Sequence, residues 1–177
     1  MIPELGHYAL ILALGLAIAQ SILPIAGAAL QRSNWMAVAR PAANGQFLFV
    51  LIAYICLTYA FLTDDFSVDY IAKNSNSLLP IQYKFSAVWG SHEGSLLLWS
   101  LILALWTLMV SIFSKRLPDA MVARVLGTMG LISIGFLLFM LLTSNPFDRL
   151  LPAATDGRDL NPLLQDIGLI LHPPMLY

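Results

Sequence analysis

Residues 8–30 read YALILALGLAIAQSILPIAGAAL, a run without a single Asp, Glu, Lys or Arg. At a helical rise of about 1.5 Å per residue, roughly 20 apolar residues cross a hydrocarbon core of about 30 Å. Three further stretches meet that requirement: residues 47–62 (extending back through Gly45 and Gln46), 95–113 and 125–142. None of the nineteen charged residues falls inside the four. In lipid, a backbone satisfies its own polar groups only as a helix or a closed barrel, and apolar runs of this length without strict alternation select the helix. The sequence therefore predicts an all-α integral membrane protein with four transmembrane helices. Its expected division is a four-span bundle over residues 1–142, carrying an outer loop at 63–94, followed by an outer segment at 143–177.

Composition agrees. Of 177 residues, 59% are hydrophobic and 11% charged, with a mean hydropathy of +0.78; soluble domains carry about 25% charged residues. A net charge of -1 offers no basic surface to nucleic acid. A lone cysteine, Cys56, excludes an internal disulfide, a CxxC redox pair and a CxxCH haem attachment site within the chain. Pro24, with Gln20 and Ser21 before it, predicts a kink in the first span. Gly127, Gly130, Ser133 and Gly135 mark the fourth for close helix packing.

Orientation follows from Lys and Arg in the flanking loops. Residues 31–46 and 114–124 hold five (Arg32, Arg40, Lys115, Arg116, Arg124), whereas the longer segments 63–94 and 143–177 hold four (Lys73, Lys84, Arg149, Arg158). The short loops are thus expected in the cytoplasm, with both termini, the long loop and the tail outside. The opening residues Met1 to Glu4 lack a basic stretch and no A-x-A site follows, so the first span reads as retained rather than cleaved.

This topology puts His7, His92 and His172 on the outer side, and histidine serves as switch, base or haem ligand. His7, beside Tyr8, reads as an interfacial anchor. His92 opens a seven-residue series with Trp99 and Trp106, a stripe along one helix face that suits haem, quinone or a partner helix, and equally an aromatic belt or a packing face. In the tail, Asn161-Pro162 predicts a helix start, and Leu163, Leu164, Ile167, Ile170 and Leu171 give it an apolar face. Such a helix is too short to span and would lie on the outer membrane surface. Pro173 and Pro174 are expected to end it at His172, leaving that imidazole at a stiff corner as an axial ligand or a helix cap.

Two segments carry a resemblance: residues 87–99, AVWGSHEGSLLLW, and 165–177, QDIGLILHPPMLY. With residues 2–10, IPELGHYAL, and 145–147, NPF, they resemble the amino-terminal third of the CcmF family of bacterial cytochrome c maturation. The resemblance implies a protein of the bacterial inner membrane. It would take haem from a CcmE-like chaperone and, with CcmH-like and CcmI-like subunits, join it to the CxxCH cysteines of apocytochrome c. It also implies that His172 is an outer-face haem ligand; His92 lies in a family motif without an assigned role, and no catalytic residue or bare-metal site is implied. Haem is the implied cofactor of the full-length protein. The family's tryptophan-rich WWD segment, its second outer-face histidine and its two membrane histidines have no counterpart here, where the tryptophans are Trp35, Trp89, Trp99 and Trp106. The chain is accordingly expected to be an amino-terminal fragment that stops at the start of a fifth span. A transporter or proton-channel subunit, the alternative from another class, would place ionisable residues within its spans. A structural scaffold is the third reading.

Overall fold

A computed structural model describes residues 1–176; the Leu163 side chain, expected on the apolar face of the tail helix, and Tyr177, expected in the fifth span, lie outside the described residues. Helix α1 covers Ile2–Ala29, α2 Ser33–Met36, α3 Ala39–Leu62, α4 Asp69–Asn74, α5 Ile81–Ala87, α6 His92–Phe113, α7 Asp119–Leu142 and α8 Ile167–Leu176, with a 3₁₀ turn at Pro162–Gln165 before α8. Among the described residues no strand forms, and Val68 and Arg149 make an isolated antiparallel bridge. Four helices are long and apolar enough to cross a bilayer. Each outruns the apolar stretch that predicted it. Glu4, Glu93 and Asp119 occupy the first turns of α1, α6 and α7, where unpaired N–H groups and the helix dipole favour negative charge. Helix α1 runs through Pro24.

The chain forms two compact units. One comprises Ala9–Leu51 and Ser100–Phe139. Within it α1 meets α7 at glycines: a Cβ on Gly127 would stand 2.6 Å from Ile25 Cγ1, and one on Gly130 3.1 Å from the Ala17 carbonyl oxygen. Gly135, expected to share this role, has nothing within 4 Å of its Cβ position. Backbones brought this close let Gln20, fully buried, donate its amide N–H to the Leu126 carbonyl at 2.7 Å. Ser21 turns its hydroxyl back onto the Ala17 carbonyl at 2.9 Å. Ala39, Ala43, Val122 and Leu126 form a buried cluster with Val110 against it. At the end of α6, Arg40 donates to the Ser111 carbonyl and, at 3.1 Å, to that of Ser114, while the Ser111 hydroxyl donates to Asn44 Oδ1.

The other unit comprises Met1–Tyr8, Ile52–Trp99 and the chain from Met140 onward. These are the two ends and the two long segments that the charge pattern assigns to one side. The tail is stitched along the loop by main-chain bonds: Asp69 N–H to Asp148, Leu150 N–H to Ser67 and Arg158 N–H to Ala72, each at 2.8–2.9 Å. Asp156 accepts the N–H and hydroxyl of Ser77. Those bonds, the Ser77 N–H first, hold its carboxyl below the usual carboxylate range. Lys84, nearly buried, pairs with Asp64 through both carboxylate oxygens. At the start of α1, Gly6 leaves room for Phe147, whose ring atom Cζ lies 2.3 Å from where a Cβ would stand.

These contacts fix where a methyl group is tolerated. Gly127→Val is expected to lower stability by about 1–3 kcal/mol through overpacking, whereas Gly135→Ala should leave it unchanged or raise it by up to about 1 kcal/mol. Gly6→Ala should also destabilise, by displacing the Phe147 ring. Thermal unfolding in detergent checks all three; equal midpoints for the Gly127 and Gly135 variants would refute the packing role of Gly127.

Candidate functional site

The 87–99 segment is held from three directions. Tyr70, 3% exposed on α4, places its hydroxyl 3.1 Å from the Val88 carbonyl and 3.3 Å from the Ser91 N–H. Burial pushes this phenol far above its ordinary range, so it stays protonated and donates to the carbonyl. Gly94 permits the turn, because a Cβ there would fall 1.7 Å from the Val88 oxygen. The Ser95 hydroxyl, in the first turn of α6, donates to the Trp89 carbonyl at 2.8 Å. Trp89 itself meets the edge of Phe85 at 5.5 Å between centroids.

Onto this turn the tail helix docks. The Trp89 indole N–H donates to the Ile170 carbonyl at 2.9 Å. A Cβ on Gly90 would lie 3.2 Å from Leu164 Cδ1, so the 3₁₀ turn rests against the same glycine. The tail helix differs from expectation in two respects. Asn161-Pro162 opens only the 3₁₀ turn, and α8 starts at Ile167, where Asp166 Oδ1 accepts the Leu169 N–H at 3.2 Å as an N-cap. An Asp just before an apolar run is the sequence signal that identifies this start. Nor does the helix stop at His172: Pro173 and Pro174 lie inside it. Proline's fixed φ suits a helix, and its cost is a lost N–H and pressure on the carbonyl four residues back. For Pro174 that carbonyl is Ile170's, the one Trp89 occupies. His172 therefore sits within a helix rather than at a corner, and the helix-capping reading of it falls away. Its imidazole is exposed and shares a face with Leu169, Met175 and Leu176, all exposed.

His92 is the first residue of α6 and is exposed, as are Trp99 and Trp106, so the seven-residue stripe lies on the helix surface. His92 and His172 are thus carried by two segments joined through Trp89. His7 belongs to a different place. Its Nδ1 lies 3.2 Å from the Asn145 amide nitrogen, and a cleft of about 260 Å³ opens among Glu4, His7, Tyr8, Asn145, Phe147, Asp148 and Arg149. Arg149 closes one side, pairing with Glu4 and donating to Ser67. The IPELGHYAL and NPF segments therefore face each other, a pairing across 138 residues that no local pattern announces.

Among the described residues no three His, Cys, Asp or Glu side chains converge to hold a bare metal ion. What the tail offers is a single exposed imidazole set among apolar side chains. That donor set fits one axial bond to a metal already held in an apolar macrocycle such as haem.

Comparison with known proteins identifies the family. A family profile described as cytochrome C assembly protein matches residues 89–177. Over its whole length the chain is 68% identical to the cytochrome c-type biogenesis protein CcmF of Pseudomonas aeruginosa, of which it covers 27%. It is 56% identical to CcmF of Haemophilus influenzae, covering 28%. Among solved structures, cytochrome c haem lyase CcmF superposes with a TM-score of 0.86 at 26% identity, over all of this chain and 28% of that one. The chain spans just over a quarter of the length of these relatives. It is a multi-pass membrane protein that belongs to the cytochrome C assembly protein family and corresponds to the amino-terminal part of its CcmF members.

Proposed function

We propose that this chain handles haem as the amino-terminal part of a cytochrome c synthase at the outer face of the bacterial inner membrane. The observation that carries the reading is the exposed His172 imidazole, seated among apolar side chains on a helix fixed to the Trp89 segment. In this reading haem is the substrate, passed on by a CcmE-like chaperone. Its iron takes an axial bond from His172, and its vinyl groups are joined to cysteine thiols of apocytochrome c with CcmH-like and CcmI-like subunits in attendance. His172 orients the porphyrin, and Leu169, Met175 and Leu176 cover part of its apolar surface. The second axial ligand and the tryptophan-rich cover are assigned to regions of the relatives outside this chain's match. His92, at the mouth of α6, is the candidate for a second contact near the same segment. The tail is placed as an interfacial helix leading toward a fifth span.

The outer-face placement draws on the Lys and Arg asymmetry and on the grouping of both ends with the two long segments in one unit. Alkaline-phosphatase fusions after Pro80 and after Asp156 should be active and one after Arg116 inactive. The opposite pattern would put His172 on the cytoplasmic side and remove the proposed role.

In cells carrying the substitution at the native gene, His172→Ala is expected to abolish cytochrome c maturation at normal membrane abundance. An exposed side chain contributes about 0.5 kcal/mol or less to stability, so loss of the protein is not anticipated. Added imidazole should restore maturation in part by occupying the vacated axial position. Haem-stained cytochrome c at wild-type levels in the variant would show that His172 is no ligand.

A further inference from the structure

A proline at position 174 leaves the Ile170 carbonyl without its helical donor, because residue 174 has no N–H to offer. A buried or lipid-facing carbonyl in that state costs free energy until something donates to it. Here the donor comes from 81 residues away, the Trp89 indole N–H at 2.9 Å. The carbonyl belongs to the residue two positions before His172, so the bond acts on the turn of α8 that presents the imidazole. On the other side Trp89 is firmly set: Phe85 lies edge-on against its ring, and Ser95 and Tyr70 hold the main chain around it. Leu164 of the 3₁₀ turn rests beside Gly90, its Cδ1 3.2 Å from where a Cβ would stand.

The geometry points to Trp89 as a positioning residue: its indole N–H substitutes for the helical bond that Pro174 removes, and so holds His172 in place for haem. This inference rests on the ligand role proposed for His172. It accounts for two features together, a tryptophan at a helix-free turn and Pro174 inside a helix. Without the prolines, α8 would satisfy its own carbonyls and could turn or slide independently of the 87–99 segment. With them, the Leu169 and Ile170 carbonyls both lose their helical donors; the second accepts from Trp89, and the helix acquires a fixed attachment beside its histidine.

The test is a cycle of Trp89→Phe, Pro174→Ala and the double variant in the full-length protein. Phenylalanine keeps an aromatic ring beside Phe85 while removing the N–H and part of the ring area; alanine at 174 restores an N–H in register with the Ile170 carbonyl, so that the double variant separates the two effects. In haem-free protein, hydrogen exchange at the amides of Leu171, His172, Met175 and Leu176 should quicken about fivefold in Trp89→Phe. It should return toward the wild-type rate in the double variant, and Pro174→Ala alone should exchange at or below that rate. Cytochrome c maturation should follow the same order, falling in Trp89→Phe and recovering in the double variant. Unchanged exchange in Trp89→Phe would overturn the clamp, and faster exchange that Pro174→Ala does not reverse would assign the effect to ring packing rather than the N–H. A working exchange cycle with normal maturation in Trp89→Phe, where His172→Ala abolishes it, would overturn the positioning role alone. Normal maturation in His172→Ala would overturn the ligand reading and with it the role of Trp89, while the exchange cycle would still report on the bond itself.

Discussion

Main-chain carbonyls and N–H groups kept from water must be paired within the protein, and this requirement organises the chain from end to end. Helices meet most of it, and the side chains near them meet much of the remainder. Ser21, Thr58, Thr107 and Ser133 each return a hydroxyl proton to the carbonyl four residues earlier. Gln20 reaches across to a carbonyl of α7, Arg40 to two at the end of α6, Tyr70 to Val88 and Trp89 to Ile170. Among the described residues of the four long helices, most of these side-chain bonds end on backbone oxygen, with the Ser111–Asn44 bond an exception. The long-range bonds of Gln20, Tyr70 and Trp89 fix one segment against another without a charged group.

Small residues make those reaches short enough. The bond from Gln20 to α7 depends on the approach that Gly127 and Gly130 allow, and the Tyr70 bond to Val88 on the space that Gly94 leaves. The same pairing of a missing side chain with a long-range donor recurs where Gly90 receives Leu164 next to the Trp89–Ile170 bond. The candidate haem-facing helix is thereby mounted on a turn that is itself braced by α4 and by the first turn of α6.

The spans were readable because an apolar run of twenty residues has few alternatives in lipid, but their ends were not. Hydropathy is silent on Glu4 and Asp119, which extend helices through their charge at an N-terminus. Within the loop, α4 and α5 escaped notice because six or seven residues are too short to show a period. Pro173 and Pro174 read as a stop because proline removes a local bond; the donor that makes the helix tolerable is remote in sequence, so local rules could not supply it. His172 and His92 stood out through motif resemblance, while the partnership of Trp89 with Ile170 and of His7 with Asn145 required the folded chain. Both pairs join segments that the sequence marked individually and gave no reason to join.

Arg40 shows how one side chain waits on a partner made much later in the chain. Its acceptor on Ser111 lies 71 residues downstream. At roughly 5–20 residues per second of synthesis, about 4–14 s separate the two residues as the chain is made. During that interval the guanidinium has neither of the carbonyls it bonds in the folded chain. Once α6 arrives, the same group closes over the carbonyl-rich, electronegative end of that helix and ceases to be a free charge. A lysine would perform this poorly, since a single ammonium lacks the planar fork that reaches two carbonyls at once.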